Sequence, residues 1–165
     1  NTRLPEDIRI QDSCEVPSDF HPRFQKTTKT YEYRILNRRF PDPTRRLNSF
    51  FYYYPLDVVK MQEASLYLVG EHDFKSFCSN PQMKKSTVRT VDSIEIVRKK
   101  DYIYFNFHGT GFLQNMVRIL VGTLLEVGQG KRTIESVQDT LDARDRTTAG
   151  YTAPPQGLSL MRVDY

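Results

Sequence analysis

At 165 residues and 38% hydrophobic content the chain fits one globular domain, or two small ones sharing a core. Lys and Arg outnumber Asp and Glu by 24 to 20 and the pI is near 9.1, which permits a polyanionic partner without requiring one. No apolar run approaches a bilayer's width and the first residues lack a signal-peptide core, so a soluble, cytoplasmic protein is expected. Cys14 and Cys78 have no CxxC spacing, which gives neither a disulfide framework nor a zinc site.

In chain order, residues 7–16 alternate weakly through Ile8 and Ile10 and predict a strand between Pro5 and Pro17. A clearer strand is predicted over 29–38, with Tyr31, Tyr33 and Ile35 on one face and Thr30, Glu32 and Arg34 on the other. Residues 38–46 combine two prolines with four arginines and predict a loop, followed by a run of aromatics over 50–54. Asp57 is the predicted N-cap of a helix that runs to a stop at Gly70. Residues 74–88 look irregular, and strict alternation over 91–98 and 102–108 predicts a hairpin turning at Lys99-Lys100-Asp101. A second helix is predicted through Leu113, Met116, Val117, Leu120, Val121 and Leu124, the stripe of a core-facing helix. Thr133 is predicted to cap a short helix to about Leu141, and Leu158, Leu160 and Val163 predict a closing strand.

This order predicts an α+β fold, a mostly antiparallel sheet with helices packed on one face. The sheet's other face is then open, and an aromatic-rich open face flanked by Lys and Arg suits RNA, whose bases stack on rings while phosphates meet cations. One residue stands out. Arg118 interrupts the middle of the apolar helix, and a guanidinium there either snorkels to water or meets a fixed anion, because an unpaired buried charge costs several kcal/mol or more.

Five blocks in succession resemble the tRNA pseudouridine synthase A family: Phe20-His21-Pro22-Arg23-Phe24, Lys29-Thr30-Tyr31-Glu32-Tyr33, Gly70-Glu71-His72-Asp73-Phe74-Lys75-Ser76-Phe77, Phe112-Leu113-Gln114-Asn115-Met116-Val117-Arg118 with Gly122, and Gly157-Leu158-Ser159-Leu160. The resemblance implies a pseudouridine synthase-like fold, of which this chain is one RRM- or ferredoxin-like half. It implies a cofactor-free isomerase, a homodimer, that acts on uridines at positions 38 to 40 in the anticodon arm of tRNA. Such an enzyme breaks the glycosidic bond, turns the freed base and rejoins it through carbon 5. In the family an arginine matching Arg118 holds the catalytic aspartate by an ion pair, and Tyr31 matches the active-site tyrosine. A guanidinium fork suits a carboxylate; a phenol suits both stacking and proton transfer. Phe112 matches a pocket residue, and Arg23 and Lys29 are candidates for phosphate contact.

The family's catalytic aspartate lies in an Arg-Thr-Asp-x-Gly-Val-His block, which this chain does not contain. Two stretches imitate it and fail: Arg89-Thr90-Val91-Asp92 has the acid one place late, and Arg146-Thr147-Thr148 has Thr148 where the acid belongs. Residues 1–165 are therefore expected to be the C-terminal catalytic subdomain, inactive alone. Lys84, Lys85 and the arginines of 38–46 read equally as phosphate contacts or as a solvated surface. His21, His72 and His108 show no metal spacing. The competing reading is a noncatalytic RNA-binding or assembly module that keeps the sheet and has lost the chemistry.

Overall fold

The computed structural model describes residues 1–22 and 25–165, with a mixed α/β arrangement of six strands and three helices. The strands are β1 (Thr28–Leu36), β2 (Phe50–Phe51), β3 (Gly70–Asp73), β4 (Val88–Lys99), β5 (Tyr102–Gly109) and β6 (Leu158–Asp164). They form one sheet in the order β2-β1-β5-β4-β3, with β6 also paired to β1. β2 runs parallel to β1, and the other pairings are antiparallel.

Period-two alternation explains the buried face. Tyr33 and Ile35 of β1 sit opposite Phe105 and Ile103 of β5, and Phe107 and Phe105 in turn face Ile94 and Ile96 of β4. All seven are buried, at roughly 1.5–3 kcal/mol for each large apolar side chain removed from water. Two helices, α1 (Val58–Ser65) and α2 (Met116–Gly128), complete this core, with α1 against β4 and α2 against β1. The third, α3 (Ser136–Ala143), packs on the turns at 66–68 and 75–77. Among the described residues no helix is long and apolar enough to cross a membrane.

The predicted cap at Asp57 is present: its carboxylate accepts the Lys60 backbone N–H at 3.1 Å. The Asp57→Ala protein is expected to lose about 1 kcal/mol of stability, measured as a lower denaturant midpoint at unchanged m-value. A midpoint equal to wild type would show that the cap contributes nothing.

Several expectations change. Residues 7–16 form no strand; Ile8 and Ile10 are 51% and 58% exposed, and two apolar positions bury too little to offset the ordering of the backbone. The first helix ends at Ser65 and tightens into a 3₁₀ turn over Leu66–Leu68, so that Leu68 enters the core while Leu66 stays in water. Gly70, predicted as a helix stop, opens β3 with φ at 114°, a conformation glycine adopts freely. Alternation in the hairpin is not strict: a register shift between Val91 and Ser93 lets Val91 and Ile94 both stay buried. The short third helix begins at Ser136, with Thr133 Oγ1 accepting the Ser136 N–H at 3.3 Å just ahead of it.

The second sheet face carries only part of the expected aromatic platform, Tyr102 and Tyr104 with ring centres 6.0 Å apart. Tyr33, Phe105 and Phe107 lie in the core, whereas the half-exposed face carries mutually paired groups. There Arg34 donates to Glu32 at 2.7 Å and lies 5.6 Å from the Tyr104 ring centre, and His108 meets Thr30 at 3.1 Å and Asp92 at 3.5 Å.

Candidate active site

Every residue of α2 is buried except Arg118 and Glu126, so the helix is enclosed on nearly all sides rather than along one stripe. Arg118 belongs to the first turn and not to the middle, because the residue before the helix breaks it. Asn115 takes a left-handed conformation, φ 59° and ψ 9°, which few non-glycine residues adopt but asparagine tolerates.

That conformation puts the Asn115 amide to use at both ends. Its Oδ1 accepts from Arg118 Nη1 at 2.9 Å, and its Nδ2 donates to Ser79 Oγ at 2.9 Å. Ser79 is anchored in turn, its backbone N–H donating to Gln114 O at 3.1 Å. From the other side, Arg118 Nε donates to Ala153 O at 2.6 Å, and the Ala153 N–H donates to Arg118 O at 3.0 Å. A guanidinium has five donors. Two are spent on holding the fork still, and among the described residues the Nη2 donors meet no acceptor and no carboxylate pairs with Arg118.

The Ala153 carbonyl reaches Arg118 because two glycines let backbones touch. A Cβ on Gly122 would lie 1.8 Å from Tyr151 O, and one on Gly150 would lie 2.7 Å from Thr123 Cα. Thr123 Oγ1 accepts the Gly150 N–H at 2.9 Å across this contact. Tyr33 secures the same segment further on, its hydroxyl donating to Pro154 O at 2.6 Å. Burial pushes the Tyr33 phenol far above its ordinary range, the nearby Tyr151 adds to this, and the Arg118 charge only partly opposes it. Tyr33 is therefore a permanent hydrogen-bond donor, and its role is structural.

A pocket of about 130 Å³ opens beside the fork, and its walls include Tyr31, Phe112, Leu158, Asn115 and Arg118. Tyr31 and Phe112 meet edge to face, with ring centres 5.3 Å apart and planes at 85°. Among the described residues no group hydrogen-bonds the Tyr31 hydroxyl. Three predicted residues, Tyr31, Phe112 and Arg118, are thus brought together from β1, the loop before α2 and α2 itself. Lys29 is not among them. It donates to Thr27 Oγ1 and lines a separate hollow of about 660 Å³ with Lys26, Thr110 and Asp164. Arg23 lies outside the described residues. Asp92 faces His108, and Arg146 is tied into its own turn through Gly150 O at 2.9 Å, so neither imitation of the acidic block reaches the pocket. Among the described residues no group of three His, Cys, Asp or Glu is placed to hold a metal.

Sequence reasoning missed Asn115 and Ala153 as parts of this site. Asparagine just ahead of an apolar helix was the available signal for the first; a backbone carbonyl leaves none for the second.

Comparison with known proteins gives the same direction as the geometry. A family model described as tRNA pseudouridine synthase matches residues 64–165, which include α2 and the turn at Ala153. The tRNA pseudouridine synthase A of Halalkalibacterium halodurans is 47% identical over 158 residues, covering 96% of this chain and 60% of that protein. Proteins of the same name from Thermoanaerobacter sp. and Geobacter sp. are 45% and 44% identical, each over the whole of this chain and 68% and 67% of their own length. The chain thus spans 60% to 68% of the length of these relatives. With likeness of this extent across the strand bearing Tyr31 and the helix bearing Arg118, the chain belongs to the tRNA pseudouridine synthase family.

Proposed function

We propose that this chain is the C-terminal catalytic subdomain of an isomerase that converts uridine to pseudouridine in the anticodon arm of tRNA, at positions 38 to 40, and that the complete protein works as a homodimer. The observation that carries this reading is the Arg118 fork, immobilised by Asn115 and Ala153 with its Nη2 donors unspent beside Tyr31 and Phe112. A fork held this way suits a carboxylate, which it would orient and keep ionised in a dry pocket. The pocket, at about 130 Å³, is smaller than the roughly 300–1,000 Å³ of ordinary ligand sites, as fits a site whose remaining wall and carboxylate come from the portion of the relatives that this chain does not span.

The isomerisation needs no outside reactant. The bond from C1′ to N1 breaks, the base turns, C5 bonds to C1′, and the proton lost from C5 is balanced by one gained at N1. Tyr31, set edge to face with Phe112, supplies a ring against which the turning base can stack, and a hydroxyl free to move the C5 proton. Extrusion of the nucleotide costs a few kcal/mol, offset by this stacking and by phosphate contacts. In the full-length protein Tyr31→Phe keeps the ring and removes the phenol. Product formation is expected to fall by about 10²-fold or more with tRNA affinity unchanged. Wild-type turnover in Tyr31→Phe would confine the residue to stacking.

The reading is tested by incubating the full-length protein with an unmodified tRNA transcript and mapping carbodiimide-resistant adducts by primer extension. Adducts at uridines of the anticodon arm are expected. Tight binding without any adduct would establish the noncatalytic module instead.

A further inference from the structure

A second feature adjoins the candidate active site without belonging to it. The segment 78–88 and the turn after α3 enclose a hollow of about 950 Å³, far too large for a single phosphate group. Its walls carry five cationic side chains, Lys75, Lys84, Lys85, Arg144 and Arg146, against two carboxylates, Asp73 and Asp145. Both carboxylates are already committed. Asp73 accepts from Lys75 N at 3.1 Å and from Thr87 Oγ1, and Arg144 Nε lies 3.4 Å from its other oxygen. Asp145 caps its own turn, accepting from Thr147 N at 2.9 Å. Arg146 donates from Nη1 to Ala149 O and Gly150 O and from Nη2 to Thr152 Oγ1. That leaves Lys84 and Lys85 exposed and, among the described residues, without a carboxylate partner, while the exposed Lys75 is engaged only through a longer-range attraction to Asp145.

The hollow is also joined to the pocket. Ser79 lines it, and the same Ser79 Oγ accepts from Asn115 Nδ2, whose amide oxygen holds Arg118. Two hydrogen bonds thus link Arg118 to the wall of the hollow that holds Lys84 and Lys85, so a polyanionic strand entering the Arg118 pocket has further cations along the segment that buttresses the fork.

We propose that this hollow is a phosphate track for the RNA strand flanking the target nucleotide, in which Lys75, Lys84 and Lys85 neutralise backbone phosphates. The proposal rests on the reading of the chain as acting on RNA. Lysines act as point charges toward successive phosphates and carry no base preference, so the track contributes affinity and register and not sequence choice.

The test measures equilibrium binding of an unmodified tRNA transcript to the full-length protein across a series of salt concentrations. For Lys84→Ala/Lys85→Ala, the slope of log affinity against log salt is expected to become shallower by about 1.4–1.8, with binding weakened and single-turnover rate at saturating tRNA unchanged. The control is Lys60→Ala/Lys131→Ala, which removes two exposed lysines near the far end of α2 and is expected to leave the slope at the wild-type value. An unaltered slope in the first variant, or an equal change in both, would overturn the track. Because binding is read independently of chemistry, a wild-type protein that binds tRNA but forms no pseudouridine would overturn the enzymatic reading alone. Normal pseudouridine formation with an unaltered slope would overturn the track alone.

Discussion

Arg118→Ala in the full-length protein is expected to reduce turnover by roughly 10²- to 10⁴-fold while tRNA affinity stays within about twofold of wild type. The magnitude follows from removing one partner of a desolvated ion pair, which costs about 3–5 kcal/mol because the other charge is left uncompensated, and each 1.36 kcal/mol is tenfold in rate. On the proposed reading the guanidinium pairs with a protein carboxylate and not with the RNA backbone, so affinity is spared. Arg118→Lys is the sharper variant. It keeps the charge but cannot donate at once to Ala153 O, to Asn115 Oδ1 and in a fork to a carboxylate, so it is expected to recover little of the lost rate. Wild-type turnover in Arg118→Lys would mean that only charge matters at this position and that the fork has no orienting role.

Gly122→Ala is expected to be the most damaging single-methyl change in the fold. The added carbon would sit 1.8 Å from the Tyr151 carbonyl oxygen and 2.9 Å from its carbonyl carbon, both backbone atoms with no rotamer to escape into. Either α2 or the 149–153 segment must move, at a cost of about 2–3 kcal/mol typical of an overpacked interior. In a protein of this size that is about 4–12 °C in melting temperature. Turnover is expected to fall beyond what stability explains, because the displaced segment carries the Ala153 carbonyl that holds Arg118 Nε. Unchanged melting and unchanged turnover in Gly122→Ala would show that the close approach is not required. Gly130, where nothing lies within 4 Å of an added Cβ, offers the contrasting position, although its φ of 74° strains any side chain there.

How much of this was legible in the sequence depends on whether periodicity or tertiary contact decides each piece. β1, the β4–β5 hairpin and α2 announce themselves because their apolar positions repeat with the period of the element that buries them. β2 and β3 were not legible: Phe50–Phe51 is too short to alternate, and Gly70–Asp73 has no apolar alternation and is defined by its pairing with β4. Residues 7–16 show the opposite error, an alternation of two isoleucines with no strand pairing it among the described residues. At the site, Tyr31, Phe112 and Arg118 were named from the family resemblance, and the packing that gathers them into one pocket came only from the structure. The left-handed Asn115 and the Ala153 carbonyl were invisible because their roles reside in backbone conformation and in the close approach that Gly122 and Gly150 permit.

The central claim is that the unspent face of Arg118 receives a carboxylate. A crystal structure of the full-length protein measures this directly, as the distances from Arg118 Nη1 and Nη2 to the aspartate of an Arg-Thr-Asp segment. Two parallel contacts of about 2.7–2.9 Å, beside Tyr31, are predicted. An Arg118 fork that meets only water or RNA phosphate, with the aspartate elsewhere, would contradict the account.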